Sequence, residues 1–265
     1  MLHSALLNVM IAAARKTARA LKRDFGELEK LQVSLKGPGN FVTAADRRAE
    51  ETLFQELTRA RPGYGFLGEE EGIREGADKT NRWLVDPLDG TTNFLHGIPQ
   101  FAISIGLERE GQIIAGLVYN PASDEMFLAE RGKGAFLNEQ RIRVAGRKRL
   151  SEAVVACGLP HHGRGDIALN RSETAALQNE VAGLRRFGAA ALDLAWVAAG
   201  RLDGYWERDL KIWDLAAGLI LVREAGGFAT DCEGGGDVFG KGSIIAGNEA
   251  IQKEILRLLK AAAKP

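Results

Sequence analysis

Two aspartates stand three positions apart in the segment WLVDPLDGTTNFLHG, residues 83–97, between an apolar run and a Gly-Thr-Thr turn. The apolar run is expected to form a buried strand, and Asp86 falls at its carboxyl end, where open sheets present ligand-binding groups. Pro87 is expected to stop the ladder pairing. Asp89 then stands at a helix start, where it can act as a cap while the next two amides attract a phosphate. Taken alone, the pair also fits a strand end followed by an ordinary cap.

Two other segments place carboxylates beside apolar runs. GEEEG begins at residue 68 and offers Glu69, and KIWDLAAGLILVREAGG places Asp214 at the opening of a long apolar helix that ends at a Gly-Gly pair. Each segment alone fits a solvated loop or an ordinary helix start. If both converge with Asp86 and Asp89, four like charges share one site and repel each other unless cations neutralise them.

The donor set indicates which cation this site would hold. Carboxylate and carbonyl oxygens without a His or Cys cluster favour Mg²⁺ over Zn²⁺, and two or three ions would neutralise the charges. His96 is the imidazole nearest in sequence, and it is expected to lie outside the ligand set. The loop LKGPGNFVTAAD, residues 35–46, adds Lys36, which suits a phosphate group. The constellation predicts metal-assisted phosphoryl transfer or hydrolysis.

Composition narrows the class of partner. The chain has 265 residues and is 45% hydrophobic, enough for one large unit or two closely packed domains. Its 35 basic residues are balanced by 35 acidic ones, so direct nucleic-acid binding through a broad cationic surface is not expected. Cys157 and Cys232 fit no metal-binding spacing and are expected to be buried thiols in a reducing compartment. A small molecule is the favoured ligand.

The N-terminal segment is apolar over residues 6–14 but has no basic stretch before it. Basic residues follow at once on the same predicted helix, so we expect an amphipathic helix and not a signal peptide. No other stretch approaches the ~18 to 20 consecutive apolar residues of a membrane span. A cytoplasmic protein without membrane association is therefore expected.

Periodicity predicts an α+β fold in two parts. The first part combines a helix pair with a mainly antiparallel sheet, and after residue 150 strands and helices alternate as in an α/β layer. The predicted helices are 3–24, 44–60 (capped by Thr43), 167–182, 189–199, 214–225 and 248–262. The predicted strands are 82–86, 101–108, 113–119, 125–130, 153–157, 184–187, 203–207 and 243–246. The predicted domains are 1–147, with most metal ligands, and 148–265, with Asp214 and substrate contacts.

Six strings of the sequence resemble the inositol monophosphatase family, in its bacterial branch, and they follow the family's order over nearly the whole chain. They are GNFVTAAD, GEEEG, WLVDPLDGTTNF, GKGAFLN (132–138), RRFGAAALDLAWVAAGRLDGYWE (185–207) and WDLAAGLILVREAGG. The resemblance implies a layered α-β-α-β-α sugar-phosphatase fold. It also implies a homodimer, Mg²⁺ dependence and inhibition by lithium.

The resemblance also implies roles for the acidic residues. The first metal would be held by Glu69, Asp86, the Leu88 carbonyl and Asp89. Asp214 would hold the second ion together with Asp86 and Asp89.

The remaining implied roles concern the attacking water and the substrate. Thr91, paired with Asp46 and aided by Glu69, would position and deprotonate the water. The amides of Gly90 and Thr91 would bind the phosphate. The substrate hydroxyls would meet Asp89, Gly188, Ala190, Glu207 and Asp214.

One position departs from the family pattern. Many members have Asp where this chain has Asn40. Asn carries no charge, so the change bears on a water-mediated third metal site near Lys36 and leaves the two central ions untouched. Hydrolysis is expected to survive, with a possible difference in metal optimum.

Three alternatives stay open from the sequence. The favoured activity is hydrolysis of inositol monophosphate or a similar polyol phosphate monoester by water activated on Mg²⁺. The same scaffold serves broader sugar phosphatases, including those for fructose 1,6-bisphosphate, and enzymes for histidinol phosphate and 3′-phosphoadenosine nucleotides. Bacterial relatives also take part in transcription-associated complexes. In such a partner role the metal site is dispensable and the Arg185-Arg186 region or the dimer face is the key surface.

Overall fold

The computed structural model describes residues 3–27, 33–37, 40–160 and 165–263, and the side chains of 33–37 and 40–42 lie outside that description. The helices in these ranges are α1 (Ala5–Phe25), α2 (Ala44–Ala60), α3 (Thr91–Leu95), α4 (Ile167–Gln178), α5 (Ala190–Ala198), α6 (Ile212–Glu224), α7 (Val238–Lys241) and α8 (Glu249–Ala262). The strands of the first half are β1 (Val33–Gly37), β2 (Asn40–Thr43), β3 (Tyr64–Gly68), β4 (Gly72–Arg74), β5 (Asp78–Asp89), β6 (Ala102–Arg109), β7 (Gln112–Asn120), β8 (Glu125–Glu130), β9 (Gly134–Leu137) and β10 (Gln140–Ile142). Those of the second half are β11 (Val154–Cys157), β12 (Gly183–Arg185), β13 (Gly204–Glu207), β14 (Phe228–Thr230) and β15 (Ile244–Gly247).

Two large sheets organise the described chain. The first has eight strands in the order β10-β9-β8-β7-β6-β5-β3-β4, and all of its pairs are antiparallel except β3 with β5. The second has five strands in the order β12-β11-β13-β15-β14 and is mixed. The mainly antiparallel first sheet and the alternating second half are therefore confirmed. β1 and β2 form a separate hairpin.

Helices cover both sheets and separate them. α1 and α2 bury their apolar faces on one side of the eight-stranded sheet. α5 and α6 lie between the two sheets, in a core built largely from alanine, leucine and valine. α4 and α8 cover the outer side of the five-stranded sheet. This order of layers is α-β-α-β-α, as the family resemblance implies.

Small residues let α6 approach the eight-stranded sheet closely. A Cβ atom at Gly106 would stand 2.8 Å from the Ala216 Cβ, and one at Gly116 would stand 2.5 Å from Ile220 Cγ2. Real carbon atoms in van der Waals contact need about 3.5–4.0 Å, so only glycine fits at these two strand positions. The close packing fixes the start of α6, and with it Asp214, against the sheet that carries Asp86 and Asp89.

Most predicted boundaries agree with the structure to within a few residues. There are three notable differences, of which the first two bear on the site. β5 does not end at Asp86 but continues to Asp89, through Pro87. α6 begins at Ile212, so Asp214 lies in its first turn and not at its opening. α4 is shorter than predicted, because it ends at Gln178.

The predicted division at residue 147 stays a prediction. The strands of the eight-stranded sheet all precede it, and those of the five-stranded sheet all follow it. α6, from the second half, nevertheless packs on the first sheet. Among the described residues, every helix is too short or too polar to cross a bilayer.

Candidate active site

A β-bulge places Asp86 and Asp89 on the same face of the eight-stranded sheet. In a regular strand, residues three apart point to opposite faces. Here Asp86 pairs with Ser104 and Asp89 pairs with Ala102, so three steps on β5 match two steps on β6. The extra residue restores a common direction for the two carboxylates. Pro87 lies within this irregular stretch, where a missing amide hydrogen costs no ladder bond.

Glu69 reaches the same edge because β3 runs parallel to β5. Gly68 at the end of β3 pairs with Val85, and the Glu69 amide donates to the Val85 carbonyl at 3.2 Å. Strands that run in parallel end on the same side of a sheet. Glu69 and Asp86 therefore follow neighbouring strand ends.

The turn after Glu69 is held by a buried carboxylate that the sequence analysis did not identify. Glu50 on α2 is 0% exposed, and its two oxygens accept the Glu70 and Glu71 amides at 2.8 Å each. A Cβ atom at Gly68 would stand 2.3 Å from Glu50 Oε2, so glycine leaves the space that this carboxylate fills. Burial, followed by the charges of Glu69 and Glu71, raises the pKa of Glu50, which the two amide hydrogen bonds partly offset.

α2 also carries Asp46, one helical turn before Glu50. Thr43 caps the helix as predicted, and Asp46 Oδ2 accepts the Thr43 amide at 2.9 Å to complete a capping box. The other Asp46 oxygen accepts the Thr91 hydroxyl at 2.9 Å, and that hydroxyl lies 3.1 Å from the Leu88 carbonyl oxygen. Burial raises the pKa of Asp46, against hydrogen bonds from both threonines. The predicted pairing of Thr91 with Asp46 is therefore present as a direct contact.

Asp89 caps a different helix from the one predicted. Gly90, with φ +88°, is the N-cap of α3, and it makes no side-chain cap. Asp89 Oδ2 instead accepts the Ala191 amide at 2.7 Å, in the first turn of α5. A carboxylate is favoured there by the positive end of the helix. The expectation that Asp89 caps its own helix was wrong, because the bulged strand turns its carboxylate toward the second half of the chain.

The short helix after Asp89 is tied to the same region. A Cβ atom at Gly90 would stand 2.9 Å from the Gln100 carbonyl oxygen, so this left-handed position requires glycine. The Asn93 side chain donates to the carbonyls of Gln100 and Phe187, at 2.8 and 2.7 Å. These bonds hold the turn of residues 90–91 beside Gly188, which also has a positive φ, +84°.

These elements enclose a cavity of about 320 Å³. Apart from Lys36 and Asp46, every residue predicted for the site lines it: Glu69, Asp86, Leu88, Asp89, Gly90, Thr91, Gly188, Ala190, Glu207 and Asp214. Asp46 is 1% exposed and acts behind Thr91. The side chains of Lys36 and Asn40 lie outside the described residues, so their predicted roles stay predictions.

The cavity is strongly acidic. Burial raises the pKa of Asp86 well above its ordinary value, and the charges of Glu69, Asp89 and Asp214 raise it further. Burial also raises the pKa of Asp89, with contributions from Asp214, Glu207 and Glu69, while the Ala191 amide opposes the shift. The neighbouring carboxylates therefore make ionisation of Asp86 and Asp89 less favourable.

Among the described residues, the side chains do not form a closed cage for a cation. Within the described residues, no three acidic, histidine or cysteine side chains are grouped as the ligands of one metal ion. Asp214 Oδ2 accepts the Lys211 amide at 2.7 Å, as the reciprocal part of a helix start.

Two further acidic residues come from the second half of the chain, half-buried Glu207 on the five-stranded sheet and buried Asp193 on α5. Glu207, at the end of β13, accepts a hydrogen bond from the Tyr205 hydroxyl. Asp193 on α5 is 1% exposed, and its Oδ1 has no hydrogen-bond partner among the described residues. Burial, then the charges of Glu207 and Asp89, raises the pKa of Asp193 well above its ordinary value, and Arg186 opposes the shift.

Two arginines that were not predicted as site residues, Arg186 and Arg208, line the cavity. Arg208 pairs with buried Glu173 on α4 at 2.8 Å and with Glu233 at 3.0 Å. Arg186 was assigned to a partner surface, but it lines the cavity beside Gly188. Its position two residues before Gly188, which was predicted to contact the substrate, was a signal in the sequence.

Comparison with known proteins agrees with this architecture. The model of the inositol monophosphatase family matches residues 3–264. The chain is 61% identical to the inositol-1-monophosphatase of Mesorhizobium japonicum, over 98% of each chain. It is 43% identical to the Nus factor SuhB of Pseudomonas aeruginosa, over 96% of each chain.

A solved structure has the same fold. The extragenic suppressor protein suhB of Bartonella henselae superposes with a TM-score of 0.95 at 57% identity, and the match covers 97% of this chain and 99% of that one. Similarity of this extent in sequence and fold shows that the chain belongs to the inositol monophosphatase family.

Proposed function

We propose that this protein is a Mg²⁺-dependent phosphatase that hydrolyses inositol monophosphate, or a similar polyol phosphate monoester, to the free alcohol and phosphate. The observation that carries the proposal is the bulge of β5. It aims Asp86 and Asp89 into one cavity with Glu69 and Asp214. The inositol-1-monophosphatase of Mesorhizobium japonicum, at 61% identity, supports the choice of substrate class.

The residues of the cavity fit a hard divalent cation. They offer carboxylates and the Leu88 carbonyl oxygen, which is the donor set that Mg²⁺ prefers, and no thiol or imidazole among the described lining residues. Burial, followed by the charges of neighbouring carboxylates, raises the pKa values of Asp86 and Asp89, and a bound cation would offset both effects. When bound, Mg²⁺ would supply positive charge for the phosphate and the departing alkoxide and would acidify the attacking water. Glu69, Asp86, Leu88, Asp89 and Asp214 would hold the two or three ions.

The protein's own groups would orient the reactants. Thr91, held by Asp46, would accept a hydrogen bond from the attacking water and relay its proton toward the buried carboxylate, with Glu69 nearby. The amides of Gly90 and Thr91, at the start of α3, would bind the phosphate oxygens.

The substrate's alcohol would occupy the side of the cavity formed by the second half of the chain. Glu207, Gly188 and Ala190 lie there, with Asp89 and Asp214 at the junction. A carboxylate and main-chain groups suit the alternating hydroxyls of a polyol.

Side-by-side kinetics test the substrate class. The purified protein would be assayed with inositol 1-phosphate, fructose 1,6-bisphosphate and a 3′-phosphoadenosine nucleotide, each with Mg²⁺ and with a chelator. We expect the highest kcat/KM for inositol 1-phosphate and no turnover without the metal. Preference for the bisphosphate would favour the broader sugar phosphatase, and turnover unaffected by chelation would contradict the proposal.

A second role, as a non-enzymatic partner in a transcription-associated complex, is supported by the relative named Nus factor SuhB. Under that role the acidic cavity is dispensable. An Asp89→Asn variant that lacks phosphatase activity but restores the wild-type phenotype to a deletion strain would support the partner role. Failure to restore it would support the enzyme.

The family resemblance also suggests a homodimer and inhibition by lithium. Sedimentation velocity tests the first, and a lithium titration of turnover tests the second. A monomer at micromolar concentration, or turnover that lithium leaves unchanged, would remove the respective inference.

A further inference from the structure

The carboxylate of Glu207 is held by a residue of its own strand. Tyr205 and Glu207 are two positions apart on β13, so both side chains leave the same face of the five-stranded sheet. The Tyr205 hydroxyl donates a hydrogen bond to Glu207 Oε2. Glu207 lines the cavity, whereas Tyr205 is 0% exposed. The bond therefore connects the core between the two sheets with the substrate side of the cavity.

The ring of Tyr205 is fixed by its surroundings. Its register neighbours are Ala156 on β11 and Ala246 on β15, whose methyl groups leave room for a large ring on this face. Burial, and then the charge of Glu207, raises the pKa of Tyr205 well above its ordinary value. The hydroxyl therefore stays protonated and remains a donor.

A backbone contact confines the same carboxylate. A Cβ atom at Gly158 would stand 1.8 Å from Glu207 Cδ, so the carboxylate packs directly against the glycine backbone. Any other residue at Gly158 would displace it. Glu207 is thus located by packing against Gly158 and by the hydrogen bond from Tyr205.

We propose that Tyr205 is a positioning residue that fixes the Glu207 carboxylate for binding the hydroxyl groups of a polyol phosphate. The inference rests on the proposed function, in which Glu207 contacts those hydroxyls. A carboxylate that is already oriented loses less conformational freedom when a hydroxyl binds. Tyr205 therefore contributes to discrimination between polyol phosphates and phosphate monoesters without hydroxyls. It does not take part in the attack on phosphorus.

The test compares two tyrosine variants on two substrates. Tyr205→Phe removes the hydroxyl and keeps the ring. Tyr119→Phe is a matched control, because Tyr119 is 4% exposed and donates to the Asp124 carboxylate at 2.5 Å, outside the cavity. The substrates are inositol 1-phosphate and phenyl phosphate, which has the ester but no hydroxyl groups.

We expect Tyr205→Phe to lower kcat/KM for inositol 1-phosphate by about tenfold, as for loss of a hydrogen bond to a charged group. The loss should appear mainly in KM, because an interaction made equally in the ground state and the transition state is removed, and phenyl phosphate turnover should stay close to that of the wild-type protein. Tyr119→Phe should leave the ratio of the two activities unchanged. In a Glu207→Gln background, Tyr205→Phe should cause no further change in that ratio, because the two residues act through one contact.

Equal losses on both substrates in Tyr205→Phe would overturn the inference and indicate a general structural role. So would an unchanged ratio, or a full additional loss in the Glu207→Gln background. Thermal unfolding distinguishes a folding defect from a loss of substrate binding. Each tyrosine variant loses one buried hydroxyl, so the two variants should unfold at similar temperatures. If the wild-type protein hydrolyses neither substrate with Mg²⁺, the proposed function itself has failed, which is a distinct result.

Discussion

Replacing Asp89 with Asn removes one negative charge from the cavity and keeps the size of the side chain. The Ala191 amide, now 2.7 Å from Oδ2, can still donate to the oxygen of the amide group. A hydrogen bond to a neutral acceptor is weaker than one to a charged acceptor by about 1 kcal/mol. Relief of the repulsion from Asp214, Glu207 and Glu69 opposes that loss.

These two opposing effects set the expected change in the stability of Asp89→Asn. Without divalent ions, the free energy of unfolding should change by less than about 1 kcal/mol, which corresponds to a shift of about 2–4 °C or less in Tm. Turnover should fall by more than about 10²-fold, the loss seen when one electrostatic contact to the transition state is removed. Saturating Mg²⁺, at about 100 times its Kd, stabilises a protein by about 2.7 kcal/mol, and the variant should lose most of this gain.

The assay combines steady-state turnover of inositol 1-phosphate with thermal unfolding, each with Mg²⁺ and with a chelator. Asp203→Asn is the matched control. Asp203 is 2% exposed and accepts the Val154 amide at 2.8 Å, but it pairs with Arg147 and lies outside the cavity lining. The control should lose stability and keep both turnover and the response to Mg²⁺. Near-normal activity of Asp89→Asn at millimolar Mg²⁺ would refute the assignment of the site.

Three further outcomes follow from the same geometry. The chelated protein should lose stability as pH rises from about 4. The reason is that the pKa values of Asp86 and Asp89 are raised in the folded state, which therefore binds more protons than the unfolded state. Denaturant unfolding at pH 5.5 and 8 should show this fall in stability, and Mg²⁺ should stabilise the protein more at pH 8. Glu50→Gln leaves one turn amide without an acceptor and should weaken Mg²⁺ binding by about tenfold in calorimetry. Glu224→Gln should not, although it also loses one of two carboxylate oxygens that accept backbone amides, those of Gly132 and Gly134 at 2.9 and 2.8 Å. Thr91→Ala should lower kcat by about 10²-fold with little change in KM, and Thr91→Ser should retain most of the rate; equal rates in the two variants would exclude a role for the hydroxyl.

The sequence predicted the elements of this fold well because their signals are local. Strand-like apolar runs marked β6 to β8, and Thr43 as N-cap marked the start of α2. The short strands β1, β2, β3, β4, β9, β10 and β14 were not predicted. Each has three to five residues and depends on its neighbours in the sheet for its extended form.

The acidic residues could be named from the sequence, but the way they meet could not. Asp86 and Asp89 share a face because of a register shift against β6, and a bulge of that kind is a property of two paired strands. The capping of α5 by Asp89 joins residues 102 positions apart. Neither arrangement has a signature within one segment.

The supporting residues were missed for the same reason. Glu50 reads as one of several charged residues on an amphipathic helix, and only the fold shows that it is fully buried under the turn of residues 69–71. Tyr205 reads as an apolar core residue of a short strand. Its hydroxyl has a role only because the strand also carries Glu207 to the cavity.

The most direct test of the central claim is the location of divalent ions in crystals grown with Mn²⁺ and phosphate. The repulsion among Glu69, Asp86, Asp89 and Asp214 predicts anomalous scattering peaks inside the cavity, within bonding distance of both Asp86 and Asp89. Their loss in Asp89→Asn crystals should accompany the loss of turnover. A cavity without any anomalous peak at saturating Mn²⁺ and phosphate would contradict the account.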